Sequence, residues 1–164
     1  MPVAKDDKTL DIDRIEALYR EHGGALLVYL RRMFGGAVAE DLLHETFMRA
    51  LRSPESLARA QSPRAWLFGV ARHVGLDALR RRRCVELPAD VASPEDAETD
   101  DRMDRVRQAV ARLPCDQRET LELRLADELT YEEIAAALEI PVGTVRSRLH
   151  HAVRQLRELL TAGG

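Results

Sequence analysis

Apolar residues recur every three or four positions along most of the chain, which is the spacing of α-helices that bury one face. In the first half of the sequence this pattern predicts four helices. Glycine pairs at 23–24 and 35–36 separate the first three, and a loop over residues 53–61 precedes the fourth. The third should extend from Val38 to Arg52. The first half therefore predicts a small helical bundle.

Local chemistry places the ends and buried faces of these helices. The first should begin near Asp13, with Glu16 completing a capping box. The fourth should begin at Ser62, a serine cap followed by Pro63 in the first turn. In the first helix we expect the buried residues to be Ile15, Leu18 and Tyr19. In the third helix we expect them to be Leu42, Leu43, Thr46, Phe47, Ala50 and Leu51.

The second half begins with a change of composition. Residues 85–101 have two prolines, many acidic residues and little periodicity, which predicts a linker, in part helical after Ser93. Helices should follow over about 102–113 and, after Pro114, to about Ala126. The predicted fold is all-α, with two small helical domains joined by an acidic flexible linker. We place the domains at 10–84 and 102–161.

Residues 130–160 carry the pattern of a helix-turn-helix. Thr130 and Glu133 form a capping box for the first helix, and Pro141 ends that helix and can open the second. The predicted buried stripe of the second helix is Val145, Leu149, Val153, Leu156 and Leu160. Residue types suited to phosphates and base edges then face outward: Thr144, Arg146, Ser147, Arg148 and His151. A helical hairpin with a solvated basic face fits the periodicity equally well.

The distribution of charge favours the nucleic-acid interpretation. The net charge of −3 argues against such a partner, but the charges are segregated. Residues 64–83 hold six Arg and one Asp, residues 84–104 hold eight acidic residues and one Arg, and residues 140–164 hold four Arg and one Glu. Two basic blocks around an acidic one are expected of a DNA-binding chain whose other surfaces face a basic partner or stay off DNA.

The first basic block lies on the predicted fourth helix. Trp66 and Phe68 lie near its start, and Arg72 with residues 80–83 spread cationic charge along it. Aromatic rings beside arginines can stack on unpaired bases while the cations bind the phosphate backbone. For Trp66 alone we favour a core position, and for the whole set we favour binding to single-stranded nucleic acid.

The predicted third helix has an acidic outer face that includes Asp41 and Glu45. On a chain that otherwise contacts DNA, such an amphipathic helix suggests a protein partner. Taken alone, the helix fits a solvated face better.

No pattern in the sequence predicts catalysis. His44-Glu45 lacks the second histidine of a zinc-binding HExxH motif, and the chain has no phosphate-binding glycine loop or nucleophile elbow. We therefore expect no enzyme activity, no metal and no cofactor. Cys84 and Cys115 lack metal-ligand spacing and predict reduced thiols, with a disulfide between them as the alternative. Since we see no signal peptide and no apolar stretch of about 20 residues, we expect a cytoplasmic protein without membrane insertion.

Four segments together resemble the bacterial RNA polymerase sigma factors, specifically the compact extracytoplasmic-function group of the sigma-70 family. They are AEDLLHETFMRAL (39–51), SPRAWLFGVARHVGLDALRRRR (62–83), LPCDQRETLELR (113–124) and LTYEEIAAALEIPVGTVRSRLHHAVRQLREL (129–159). The resemblance covers about half of the chain in the order that the family shows. It implies a subunit that directs core RNA polymerase to specific promoters, in a stress or envelope response.

The resemblance also implies roles for the matched positions. The helix that docks on core polymerase would include Asp41, Leu42, Glu45, Thr46 and Phe47. The segment that melts and holds the −10 promoter element would include Trp66, Arg72, His73, Arg80, Arg81 and Arg82, and the loop 53–61 would capture a flipped-out base. The helix that recognises the −35 element would include Gly143, Thr144, Arg146, Ser147, Arg148 and His151. The acidic linker would thread toward the active-site cleft of the polymerase.

Two positions depart from the pattern of many relatives, His73 in place of Asn and His44 in place of Gln. These departures bear on the base preference at the −10 element rather than on the function. Because the chain ends four residues after Leu160, we expect no appended sensory domain and regulation by an anti-sigma factor. Two alternatives stay open at this stage. One is a sigma-like decoy that sequesters an anti-sigma factor, and the other is an ordinary helix-turn-helix transcription regulator.

Overall fold

The computed structural model describes residues 7–85 and 100–163, and in these ranges the regular structure is α-helical. The chain divides into two compact units, within residues 1–92 and 93–164. The first unit contains α1 (Asp7–Phe34), α2 (Gly36–Arg52), α3 (Pro54–Arg59) and α4 (Pro63–Val85). The second contains α5 (Asp101–Ala111), α6 (Cys115–Ala126), α7 (Tyr131–Leu138) and α8 (Val142–Ala162). The all-α prediction with two helical domains is confirmed.

The core of the first unit forms where α1, α2 and α4 pack against one another. Tyr29 of α1 lies at its centre, fully buried, and meets Phe68 of α4 edge-on at 5.6 Å between ring centroids. Phe34 adds a second edge-on contact to Tyr29 at 6.4 Å. Edge-on pairs are a favoured geometry for aromatic rings, and the Tyr29–Phe68 pair fixes α4 against α1 as well as burying apolar area.

The predicted break at Gly23-Gly24 is wrong, because α1 continues through both residues. Each glycine in a helix costs about 1 kcal/mol relative to alanine. That cost is outweighed by burial, since Leu26, Tyr29 and Leu30 extend the buried stripe beyond the glycines. The helix also begins earlier than predicted, at Asp7, so Asp13 lies inside the helix and cannot act as its cap.

Three smaller predictions for the first unit are corrected. Tyr19, expected to face inward, is 55% exposed, and its ring contacts Phe47 edge-on at 5.0 Å. Leu51 is 41% exposed because it lies on the side of α2 away from α1 and α4. The predicted loop 53–61 contains the short helix α3, whose Leu57 is buried. The Ser62 cap is confirmed, since its hydroxyl accepts a hydrogen bond from the Ala65 N–H at 3.2 Å.

At Gly75 the backbone of α4 lies close to the Phe34 ring of α1. A Cβ atom at this position would lie 2.2 Å from the Cε2 and Cζ atoms of the Phe34 ring, and Phe34 is itself 7% exposed. The two helices can therefore keep their present distance only with glycine here.

We expect Gly75→Ala to destabilise the protein because the added methyl group overlaps a buried ring. Gly24→Ala is a matched control, since it is also in a helix of this unit and its Cβ would meet nothing within 4 Å. The gain in helix propensity is common to both variants, so it cancels when they are compared. The free energy of unfolding of Gly75→Ala should be lower than that of Gly24→Ala by about 1–3 kcal/mol in urea denaturation. Equal stability of the two variants would contradict the close approach.

In the second unit, α8 packs against α5, α6 and α7. The predicted capping box is confirmed: the Thr130 hydroxyl accepts from the Glu133 N–H at 3.2 Å, and the Glu133 carboxylate accepts from the Thr130 N–H at 2.8 Å. Glu139 ends α7 in the left-handed conformation, and α8 begins directly after Pro141. These local features set the turn between α7 and α8.

The buried stripe of α8 is narrower than predicted. Val145 and Leu149 are buried, together with Ala152, whereas Val153 is 41% exposed. Val153 lies about 100° around the helix from Ala152, so it falls outside the contact with the shorter helices. Leu156 and Leu160 are half-buried.

Most of the predicted acidic linker and the helical segment expected after Ser93 lie outside the described residues. At the edges of the predicted linker, Val85 is the last residue of α4 and Asp101 the first of α5. Asp100 caps α5 by accepting a hydrogen bond from the Arg102 N–H at 3.2 Å.

Candidate nucleic-acid and protein interfaces

The turn that leads into α7 is fixed by Arg124, to which the sequence assigned no role. One terminal nitrogen of Arg124 donates to the Leu129 carbonyl at 2.7 Å and to the Glu128 carbonyl at 3.3 Å. Its guanidinium also lies 5.7 Å from the centre of the Tyr131 ring. Since Glu128 has a positive φ of 51°, these contacts stabilise a turn that the backbone alone disfavours. Arg124 thereby positions the helix-turn-helix.

The outer face of α8 displays most of the residues predicted to contact DNA. Four of the six are exposed: Gly143, Arg146, Ser147 and His151. Thr144 and Arg148 are half-buried at one edge of this face. Successive residues of a helix are about 100° apart, so Arg146 and Arg148 flank Ser147 on opposite sides. The two arginines therefore have different surroundings, although the sequence places them only two residues apart.

Arg148 is paired with an acidic residue of another helix. Its Nε atom lies 3.5 Å from Oδ2 of Asp116 in the first turn of α6, and its side chain is 25% exposed. No local pattern relates two residues that lie 32 positions apart, so sequence reasoning missed Asp116. The pair brings an anionic group to the edge of a surface predicted to contact phosphates.

On α4, the residues predicted to bind nucleic acid fall into two groups. Trp66, His73 and Arg80 are spaced by seven residues and so share one face, with Trp66 half-buried and the other two exposed. Arg72 is half-buried, whereas Arg81 and Arg82 are exposed near the end of the helix. The suggestion that Phe68 stacks on bases is wrong, because Phe68 is fully buried against Tyr29.

The five residues predicted to dock on polymerase lie on opposite sides of α2. Asp41 is exposed and Glu45, one turn later, is half-buried on the same face. The other three residues lie in the core: Leu42, Thr46 and Phe47. The Thr46 hydroxyl is satisfied within the helix, since it donates to the Leu42 carbonyl at 2.6 Å. These three side chains hold α2 in place, and the outer surface is formed by Asp41, His44, Glu45, Met48 and Arg52.

An ionic network connects α2 with α4. Arg49 of α2 lies 3.2 Å from the Glu45 carboxylate and 2.9 Å from that of Asp77 on α4. Asp77 also lies 3.9 Å from Arg80. The hydrogen bond from Arg49 lowers the pKa of Asp77 below its ordinary value, and the same bond raises the pKa of Arg49. The network joins the acidic face of α2 to the basic face of α4.

The lowered pKa of Asp77 predicts an acid-sensitive contribution to stability. Because the folded pKa lies below the unfolded one of about 3.9, the contribution is present above that pH and disappears as pH falls through the folded pKa. We expect Asp77→Asn to lower the free energy of unfolding by about 0.2–1 kcal/mol at pH 7, as for other partly exposed pairs, and by less at pH 3. Urea denaturation at the two pH values measures the difference. The destabilisation caused by Asp77→Asn should nearly vanish in an Arg49→Met background. An equal destabilisation at pH 7 and pH 3 in the wild-type background would contradict the assignment.

The described residues also bear on metal binding and membrane insertion. Over residues 7–85 and 100–163, no three His, Cys, Asp or Glu side chains are grouped as ligands of a metal ion. In the same ranges, no helix has both the length and the apolar composition of a membrane span. Cys115 is exposed and free.

Two protein families match the chain, one in each unit. The family described as Sigma-70 region 2 matches residues 18–84, which contain α2, α3 and nearly all of α4. The family described as Sigma-70, region 4 matches residues 103–156, which contain α6, α7 and α8 as far as Leu156. The two matches occur in the order that the sequence predicts.

Characterised relatives and solved structures agree with these matches. The ECF RNA polymerase sigma factor SigL of Mycobacterium tuberculosis is 37% identical over 153 residues, which cover 87% of this chain and 86% of SigL. The sigma factor CarQ of Myxococcus xanthus is 35% identical over 156 residues, with 90% of each chain covered. The structure of sigma factor RpoE with the anti-sigma factor NepR from Bartonella quintana matches with a TM-score of 0.70 at 25% identity, covering 91% of this chain and 97% of RpoE. The fold is also that of CnrH in complex with the cytosolic domain of CnrY, with a TM-score of 0.72 at 24% identity over 96% of this chain and 94% of CnrH. The chain therefore belongs to the extracytoplasmic-function group of the sigma-70 family, the sigma factors that serve RNA polymerase in transcription initiation.

Proposed function

We propose that this sigma factor directs core RNA polymerase to promoters through three separate surfaces and acts in the cytoplasm without catalysing a reaction itself. The observation that carries the proposal is the outer face of α8. In the unit that matches region 4, this second helix of a capped helix-turn-helix displays an exposed, largely cationic surface. The region 2 unit, at residues 10–84, supplies the other two surfaces.

The α8 surface contacts the −35 element. Recognition helices place the residues of their N-terminal turns against base edges in the major groove. Gly143, Thr144 and Ser147 are small enough to let the helix approach closely, and Arg146, Arg148 and His151 supply donors for phosphates and bases. The functional unit extends over residues 102–161.

The α4 surface binds the separated strands of the −10 element. Trp66, His73 and Arg80 share a face on which bases can stack, and the cations of Arg72, Arg81 and Arg82 attract the phosphate backbone. The short α3 and the residues around it, 53–61, receive a flipped-out base. Strand opening is driven by the free energy of binding these unpaired bases. Because cations carry much of the contact, promoter binding by the holoenzyme should weaken with added salt.

The outer face of α2 contacts core polymerase. Asp41 and Glu45 provide anionic groups for a basic surface of the partner, and the buried Leu42, Thr46 and Phe47 hold the helix in position. The helix therefore presents an acidic outer face to the partner, while its buried side is occupied by contacts within the unit.

An anti-sigma factor regulates the protein by covering these surfaces. The proposal is supported by the similarity to RpoE, whose structure was determined with the anti-sigma factor NepR. The cations of α4 and α8 would then be unavailable to DNA until the partner is released.

Capture of bacterial core RNA polymerase by the purified full-length protein, followed by run-off transcription from a library of DNA fragments, tests the function. We expect stoichiometric capture and initiation at new sites that share a promoter motif. Capture without transcription would indicate a decoy or an inhibited form of the protein. Binding to DNA without capture would indicate an ordinary helix-turn-helix regulator.

A further inference from the structure

Asp116 is held at both carboxylate oxygens. Its Oδ1 accepts a hydrogen bond from the Gln117 N–H at 2.9 Å, and its Oδ2 faces Arg148 Nε at 3.5 Å. The Asp116 backbone is fixed as well, because its carbonyl accepts from the Thr120 hydroxyl at 2.7 Å. A carboxylate at the start of α6 is favoured by the helix dipole. Asp116, whose side chain is 54% exposed, is therefore an anchored anionic group beside a long, otherwise flexible side chain.

The closest contact of the ion pair is at the Nε end of the guanidinium of Arg148. An arginine has five N–H donors in a planar fork. Since Nε is the nitrogen nearest to Asp116, we expect the two terminal nitrogens to remain available for another ligand. Two parallel N–H donors match O6 and N7 of guanine, the commonest arginine contact that distinguishes one base from another. The pair thus restricts Nε and leaves the two terminal nitrogens free to read a base.

Restricting Arg148 should affect specificity more than affinity. An unrestrained arginine near DNA can turn toward any phosphate, which gives binding without sequence information. Asp116 opposes this movement in two ways, because it attracts Arg148 and because its negative charge repels phosphates. Fixing a side chain beforehand also lowers the entropy lost when it binds.

Arg146 provides a contrast within the same helix. It is exposed on the opposite side of Ser147, and among the described residues no carboxylate lies within ion-pair distance of it. Arg146 is therefore free to follow the phosphate backbone, whereas Arg148 is directed.

We propose that Asp116 is a specificity-determining residue that positions Arg148 to read one guanine of the −35 element. The inference rests on the proposed function, since it requires that α8 contact a −35 element. It assigns a role in base selection to a residue of α6, outside the recognition helix.

The test uses holoenzyme reconstituted from core polymerase and the full-length protein, with selection from a promoter library randomised over the −35 region. Arg148→Ala first identifies the base pair that Arg148 reads, as the position where discrimination is lost. A bidentate contact of this kind gives about 5- to 150-fold discrimination. We expect Asp116→Ala to lower the discrimination at that same position by about threefold or more, while preferences elsewhere remain. Binding to DNA without a promoter should become tighter and more sensitive to salt.

Two further variants separate positioning from folding and charge. Asp116→Asn keeps the size of the side chain and an acceptor for the Gln117 N–H, and should still lower discrimination because the attraction to Arg148 is lost. Asp104→Ala is a matched control, since Asp104 is also in the first turn of a helix and pairs with an arginine, at 3.6 Å. It makes the same change in net charge and should leave the base preferences unchanged.

Unchanged discrimination in both Asp116 variants, or a loss spread evenly over all positions, would overturn the proposal while the promoter function stood. So would an Arg148→Ala variant without a position-specific effect. If wild-type holoenzyme itself showed no −35 preference, the proposed role of α8 would fail and the inference with it.

Discussion

Replacing Arg146 and Arg148 together with alanine should abolish promoter-specific initiation and leave binding to core polymerase intact. Both side chains extend from the outer part of α8, and Val145 and Leu149 bury the opposite side of the same turns. The substitutions therefore remove donors to DNA without opening the core. Losing one arginine–base contact costs about 1–3 kcal/mol. Because the phosphate contact of the second arginine is lost as well, promoter occupancy should fall by about 10-fold or more.

Run-off transcription and polymerase capture with the same preparation measure the two effects separately. Arg154→Ala with Arg157→Ala is the matched control, since it removes the same charge from exposed positions later in α8. Only the general attraction to phosphates should decline in the control, so initiation should fall modestly and keep its sequence preference. Loss of polymerase capture by the Arg146/Arg148 variant would contradict the assignment of separate surfaces.

Reversing the charge of Asp41 and Glu45 should have the converse effect. Asp41→Arg with Glu45→Arg places cations where the proposed partner surface is basic, and like charges across an interface cost several kcal/mol. We expect affinity for core polymerase to fall by about 100-fold or more. The fold should persist because the buried side of α2, with Leu42, Thr46 and Phe47, is unchanged.

The control must account for the Glu45–Arg49 pair that this variant breaks. Asp13→Arg with Glu16→Arg changes the net charge equally and breaks a similar pair, Glu16–Arg20 at 3.1 Å, on exposed positions of α1. Affinity for polymerase, measured by competition against labelled wild type, should be nearly unchanged in this control. Equal loss of affinity in both variants would indicate a general charge effect and contradict the α2 surface. Circular dichroism of both variants checks that the helices are retained.

The two predictions separate the surfaces only if the units keep their own folds, and the cores explain why they should. In each unit the buried residues of the functional helix pack against other helices of that unit. Phe47 of α2 contacts Tyr19 of α1, and Val145 is buried where α8 packs against α5, α6 and α7. The outer residues make few such contacts. Function and stability are therefore carried by opposite sides of the same helices, α2 and α8.

Sequence alone determined the features that depend on neighbours along the chain. The Thr130–Glu133 capping box, the Ser62 cap and the α6 and α8 boundaries all follow from interactions within about four residues, which residue order specifies directly. The outward position of Arg146 and Ser147 follows in the same way, because helical periodicity relates them to the buried Val145 and Leu149.

Only the tertiary structure decided the features that depend on residues far apart in sequence. Helix α1 continues through Gly23-Gly24 because its second half packs in the core, and this packing cannot be read from local helix propensity. Phe68 is buried against Tyr29, 39 residues earlier, and so cannot contact bases. Arg148 acquires its partner Asp116 only when α6 and α8 meet. Periodicity specifies which face of a helix is buried, but the identity of the opposing side chains depends on how the helices pack.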